Sequence, residues 1–203
     1  SGMSSYLWSD GSTSQSITAS TSGNYAVTVT NGDGCSTTSS ATAITTSSIT
    51  TPNITASGST SICSGSNVTL SVPTGYASYL WSDGSTTNSI SPTTAGDYSV
   101  TVTNADGCST TTTVTSVTVN PLPMASVSSA SGSFDFCDGS SLTLEGPTGS
   151  SGYQWYKDGT ALAGATGATL SATTSGSYAV QVTSSDGCSA LSASQTVVKN
   201  LNP

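Results

Sequence analysis

The chain has no histidine, and its only basic residues are Lys157 and Lys199. Without histidine, the usual base of a nucleophile–base–acid triad is missing, and a histidine-ligated zinc site is excluded. The many serines form no Gly-x-Ser-x-Gly elbow, and no pair of carboxylates stands out, so the residues point away from an enzyme. Charged residues of either sign are scarce, at 6% against about 25% in ordinary soluble domains. Ten acids against two lysines give a formal charge of −8, scattered along the chain. No basic patch exists to attract nucleic acid or an anionic membrane surface. No apolar run approaches the roughly 20 residues of a membrane-spanning helix, so membrane insertion is not expected. No 3.6-residue hydrophobic period appears, which argues against helices.

What is there is repetition. Tyr6-Leu7-Trp8-Ser9-Asp10-Gly11-Ser12 recurs as Tyr79-Leu80-Trp81-Ser82-Asp83-Gly84-Ser85. It recurs again, altered, as Tyr153-Gln154-Trp155-Tyr156-Lys157-Asp158-Gly159. The three tryptophans are the only ones in the chain, 73 residues apart (8 to 81) and 74 apart (81 to 155). A fixed period of this size marks tandem small domains. The frame divides the chain into a partial repeat (1–50), a complete one (51–123) and another (124–203). The first contains only the later half of the pattern, its opening strands absent. The expectation is that something beyond it holds it, such as upstream sequence, another copy, or docking on the second repeat. Ser1-Gly2-Met3-Ser4-Ser5 aligns with the middle of the second repeat, so the chain reads as a piece of a longer array. No signal-peptide features open it.

Within the second repeat, Pro52 to Ser57 reads as an opening strand and Asn67 to Val72 as a second, alternating one. Ser78 to Ser82 follows, then an Asp83-Gly84 turn and a short strand at Ser89 to Ser91. Tyr98, Val100 and Val102 share one face of the next strand, and Cys108 to Asn120 forms the last. The third repeat follows the same order, with strands at Ser141 to Leu144, Tyr153 to Lys157, Ala168 to Leu170 and Tyr178 to Val182. The fold class expected is all-β, in tandem antiparallel β-sandwiches of about seven short strands each. Trp8, Trp81, Trp155, Tyr25, Tyr98 and Tyr178 are expected in the sandwich cores. Tyr156, beside the core-facing Trp155, should point outward and is the aromatic most suited to contact a ligand.

Val68-Thr69-Leu70, Trp81 and Gly96-Asp97-Tyr98-Ser99-Val100 together resemble the immunoglobulin-like pattern of second strand, core tryptophan and tyrosine corner. The usual inter-sheet cysteines are replaced by Val72 with Val100, and by Gly146 with Val180. A closer resemblance is to the Ig-like repeats of large secreted and cell-surface proteins of Bacteroidota, of the adhesin kind exported by the gliding-motility (type IX) route. It rests on Cys63-Ser64-Gly65, Trp81-Ser82-Asp83-Gly84 and Gly107-Cys108, and on Cys137-Asp138-Gly139 and Gly187-Cys188. It implies an extracellular, cell-surface location and a non-catalytic stalk or spacer role in an adhesin or extracellular fibre. The partners would be neighbouring repeats of the same long chain. Two other roles stay open: a carbohydrate-binding module for surface polysaccharide, and a filament subunit that associates with its own copies.

Five cysteines remain to be placed. Cys63, Cys108, Cys137 and Cys188 are the disulfide candidates, with Cys35 unpaired. One bridge per complete repeat is the natural count in an oxidising compartment. Strand lengths object, because the two cysteines of one repeat would sit at opposite ends of its sandwich, beyond the roughly 7 Å reach of a disulfide. A bridge between neighbours, Cys63 with Cys188, fits the count equally, and unpaired thiols are the third alternative. No cofactor is expected. The Asp-Gly pairs at Asp83, Asp106, Asp158 and Asp186 read first as turns, with Ca²⁺ open only in loops or at junctions. Asn53-Ile54-Thr55 and Asn67-Val68-Thr69 match the glycosylation sequon as weak hits.

Overall fold

The computed structural model describes residues 3–201 and contains strands, turns and loops only. The first repeat contributes β1 (Met3–Trp8), β2 (Gly23–Tyr25), β3 (Val27–Asn31), β4 (Ser36–Thr38) and β5 (Thr42–Ile44). They form two small antiparallel sheets, in the orders β1-β3-β4 and β2-β5.

The second repeat contributes nine strands: β6 (Thr55–Ala56), β7 (Ser61–Cys63), β8 (Leu70–Ser71), β9 (Ser78–Trp81), β10 (Ser89–Ile90), β11 (Gly96–Tyr98), β12 (Val100–Thr103), β13 (Ser109–Thr111) and β14 (Thr115–Asn120). One sheet runs β10-β8-β6 and another β11-β14-β7. The third repeat repeats the plan with β15 (Ser128–Ser129), β16 (Asp135–Cys137), β17 (Leu142–Glu145), β18 (Gly152–Lys157), β19 (Thr160–Ala161), β20 (Thr169–Ala172), β21 (Gly176–Thr183), β22 (Ser189–Leu191) and β23 (Gln195–Asn200). Here β15-β17-β20 form one sheet and β16-β23-β21-β18-β19 the other, with β22 also on β21.

Alternation explains the cores. In β12, Val100 and Val102 are fully buried while Thr101 and Thr103 are half-buried, the period-2 signature of a strand with one core face. In the third repeat Leu142, Leu144, Trp155, Tyr178, Val180, Val182 and Val197 pack into one cluster. Val72 and Val100, in the place of an inter-sheet disulfide, are both buried. The chain is therefore all-β, built of tandem Ig-like antiparallel sandwiches.

Three expected strands differ in detail. The opening segment is not one strand followed by a long second one. It pairs first with β8 through β6, then crosses to the opposite sheet, where β7 runs parallel to β14 with Cys63 opposite Asn120. The third repeat does the same with β15 on β17 and β16 parallel to β23, placing Cys137 opposite Asn200. Only Leu70 and Ser71 of the expected Asn67–Val72 strand lie in the ladder. The last strand is also split, into β13 and β14, for a reason given below.

Compactness divides the chain differently from the sequence repeat. One compact unit gathers the chain up to Thr51 with Gly75–Ser78 and Thr101–Thr111. The other contains Pro52–Thr74, Tyr79–Val100 and the chain from Thr112 onward. Inside the first unit, the run after β5 lies along second-repeat segments through polar contacts. Ser47 Oγ donates to the Asp106 carboxylate, Asn104 Nδ2 donates to Ser47 Oγ at 3.3 Å, and the Tyr76 hydroxyl donates to Thr50 O at 3.3 Å. These bonds join the segment after β5 to second-repeat residues.

Candidate functional site: cysteine staple and repeated core

Each repeat carries the same polar clasp around its tryptophan and tyrosine. The indole N–H of Trp8 donates to Ser14 O at 2.9 Å, that of Trp81 to Thr87 O at 2.7 Å, and that of Trp155 to Gly167 O at 2.9 Å. The hydroxyls of Tyr25, Tyr98 and Tyr178 each donate to the carbonyl four residues upstream, Thr21, Thr94 and Thr174, at 3.1, 3.1 and 2.9 Å. That is the tyrosine corner of the Ig sandwich. Trp81 and Trp155 are fully buried, and Tyr98 and Tyr178 nearly so.

Trp8 and Tyr25 are only half-buried. They line an open groove of about 410 Å³ with Ile17, Val27 and Ile44. In the other repeats β8 and β17 contribute the fully buried Leu70 and Leu144. Among the described residues of the first repeat, no strand corresponds to β8 or β17.

A second recurring element was not anticipated. The N–H groups of Val27, Val100 and Val180 are met by the hydroxyls of Ser39, Thr112 and Ser192, at 3.1, 3.1 and 3.0 Å. In return, the N–H groups of those three residues donate to the three valine carbonyls. One side chain thus completes the ladder where the last strand bulges, which is why that strand divides into β13 and β14, and into β22 and β23. Thr112 and Ser192 are the buried polar residues among the described ones. The signal was in the sequence: each hydroxyl lies four residues after a Gly-Cys, at Cys35, Cys108 and Cys188.

Those cysteines sit in matching loops. Asn31 Oδ1 and Asn104 Oδ1 accept the N–H of Cys35 and Cys108, both at 2.9 Å, and Ser184 Oγ accepts that of Cys188 at 3.3 Å. In the β18–β19 hairpin, Asp158 and Gly159 both take positive φ, the requirement of a two-residue type I′ turn.

Cys63 and Cys188 are joined in a disulfide, with Cα atoms 5.5 Å apart across 125 residues of sequence. This is the pairing between neighbouring repeats. Cys35 and Cys137 are exposed free thiols and Cys108 a half-buried one. Cys108 and Cys137, candidates for bridges inside their own repeats, are therefore not bonded. The reason is positional. Cys63 is level with Asn120, the last residue of β14, whereas Cys108 precedes β13 at the other end of the same closing run.

Tyr156 is half-buried, with its hydroxyl 3.3 Å from Gln181 Oε1, rather than projecting freely. The Asp10 and Asp83 carboxylates accept the N–H of Ser12 and Ser85 within their own turns, each at 2.9 Å. Among the described residues, no three Asp, Glu, Cys or His side chains converge as a metal site. Asp138 pairs with Lys199 at 2.5 Å, and this hydrogen bond and charge hold its carboxyl below the ordinary carboxylate range.

No protein-family model matches the chain. No curated protein matches it either. Among solved structures, murine CEACAM1b is 14% identical over 74% of this chain and 100% of its own, with a TM-score of 0.38. The fibronectin(III)-like modules of Clostridium thermocellum CbhA are 12% identical over 72% and 95%, TM-score 0.39. Extracellular domains 3–5 of Drosophila OTK are 16% identical over 93% and 74%, TM-score 0.38. The assignment of an Ig-like sandwich rests on the sheets and tyrosine corners described above.

Proposed function

We propose that this chain is a non-catalytic spacer segment, a tandem of Ig-like repeats in an extracellular or cell-surface adhesin or fibre. The observation that carries this reading is the Cys63–Cys188 bond, which ties one repeat covalently to the next. A bond in that place resists separation of adjacent repeats under load. It also suits an oxidising, extracellular compartment. The recurring apparatus of each repeat is spent on its own core: indole, tyrosine corner and bulge hydroxyl all bind backbone. The neighbouring-repeat partnership, the Bacteroidota-type origin and the cell-surface location belong to this proposal. The polysaccharide-module reading has less behind it, since Tyr156 is half-buried with its hydroxyl beside Gln181.

Pulling the chain from its two ends tests the reading. In the oxidised protein the stretch from Cys63 to Cys188, a sequence separation of 125, cannot extend. Reduction should therefore add roughly 400–450 Å of extension at full unfolding, at 3.3–3.6 Å per residue. Equal extensions with and without reductant would remove the load-bearing role.

A further inference from the structure

The cysteines fall into two structural kinds. Cys63 and Cys137 each end a strand paired in parallel with the last residue of the closing strand, Asn120 and Asn200 respectively. The following N–H groups, of Ser64 and Asp138, donate to the carbonyls of those same asparagines at 2.8 and 2.9 Å. The carbonyls of Cys63 and Cys137 accept from Ser66 and Ser140, and Gly65 and Gly139 share a positive φ of 86° and 84°. Cys137 is thus Cys63 moved on by one repeat.

Cys35, Cys108 and Cys188 form the second kind. Their carbonyls accept the N–H of Asn31, Asn104 and Ser184 at 3.0, 2.9 and 2.8 Å, in addition to the amide contacts already described. The one bond formed joins the first kind in one repeat to the second kind in the following repeat.

We infer that this bond states a directional rule, and that Cys137 is a free thiol built to obey it. Its partner would be the second-kind cysteine of whatever repeat follows. Between separate copies of residues 1–203, the exposed free thiol of the second kind is Cys35, so Cys137 of one copy bonds to Cys35 of another. Both thiols are exposed. Cys108 is less suited, being half-buried with its Sγ 3.6 Å from Ser47 O. Copies would then link in an open series, because each carries one exposed free cysteine of each kind.

The chemistry needs an oxidant, and a glutathione-type disulfide supplies it. The Cys137 thiolate attacks oxidised glutathione and releases one glutathione thiolate. The Cys35 thiolate of the second copy then attacks the protein-borne sulfur of that mixed disulfide and releases the second glutathione. The two protein thiols lose two electrons and two protons, and one glutathione disulfide becomes two thiols.

The test uses the full chain at high concentration with oxidised glutathione, followed by non-reducing electrophoresis and peptide mapping. The expected result is a ladder of dimers, trimers and longer species whose dominant cross-link joins Cys137 to Cys35. Cys108→Ser should leave the ladder, whereas Cys137→Ser and Cys35→Ser should each reduce it at least tenfold. A monomer unchanged after oxidation would overturn the inference. So would a dominant Cys137–Cys137 or Cys35–Cys35 bond, or a ladder that survives Cys137→Ser. The inference extends the spacer reading but fails separately from it. Loss of the ladder leaves the Cys63–Cys188 bond and its extension signature untouched.

Discussion

Cys63 closes β7 and Cys188 opens the run into β22, and their Cα atoms lie 5.5 Å apart although 125 residues separate them. A cross-link over so long a loop restricts the unfolded chain heavily, and bonds of this kind typically contribute about 2–4 kcal/mol. Cys63→Ser should therefore lower the midpoint of thermal unfolding, with Cys188→Ser having the same effect. The double variant should be no worse than either single one, since both remove one bond. Calorimetry under non-reducing conditions reads this directly, and additive losses would contradict it.

The tryptophans should not be equivalent. Trp81 is 2% exposed and fills its core, so Trp81→Ala should cost about 3–5 kcal/mol, enough to unfold a small domain. Trp8 stands half-buried at an open groove and has less apolar surface to lose. Trp8→Ala should cost about 1–2 kcal/mol. Denaturant unfolding followed by the remaining tryptophans separates the two, and equal losses would mean that the first repeat is packed as tightly as the second.

The bulge hydroxyls give a sharper test because the change is nearly isosteric. Thr112→Val keeps the side-chain shape but leaves the Val100 N–H without its buried acceptor. An unmet buried donor costs about 1–3 kcal/mol. Ser39→Ala, in the more exposed first repeat, should cost less. Hydrogen exchange at the Val100 amide should accelerate in Thr112→Val, and an unchanged rate would show that the hydroxyl is not its partner.

Asp138 has its carboxyl pKa lowered first by the hydrogen bond from Lys199, then by the lysine charge and the Gly139 amide. A lowered folded value means that the pair's stabilisation is complete above the unfolded carboxyl value, near 4. It fades as pH falls through the folded value. Lys199→Met should return Asp138 toward an ordinary titration, as followed by carboxyl chemical shift. A titration unmoved by the substitution would remove Lys199 as the cause.

Much of this fold was legible because its signals are local. Alternation at Tyr98, Val100 and Val102 and the spacing of three tryptophans require only side-chain periodicity to read. The Asp-Gly turns at Asp83 and Asp158 likewise follow from local chain chemistry. The crossing of the opening segment from β6 to β7 was not legible. It depends on which distant strand offers an edge, here β14. The same non-locality kept the cysteine pairing open. The residues supplied the correct objection to a bridge within one repeat, but the partner of Cys63 was fixed only by bringing the Cys188 loop to it. Tyr156 shows the converse limit, for strand alternation turns it away from Trp155 without revealing that Gln181 waits beside its hydroxyl.

The pairing itself is the most direct test, and the positions of the aspartates make it decisive. Cleavage before each aspartate of the oxidised, thiol-blocked protein places Cys63 in peptide 33–82, Cys108 in 106–134, Cys137 in 135–137 and Cys188 in 186–203. Mass spectrometry without reduction should find 33–82 joined to 186–203, with fragmentation placing the bond at Cys63 and the blocking group on Cys35. Peptide 33–82 joined through Cys63 to 106–134, together with 135–137 joined to 186–203, would place the bridges inside the repeats and contradict the staple.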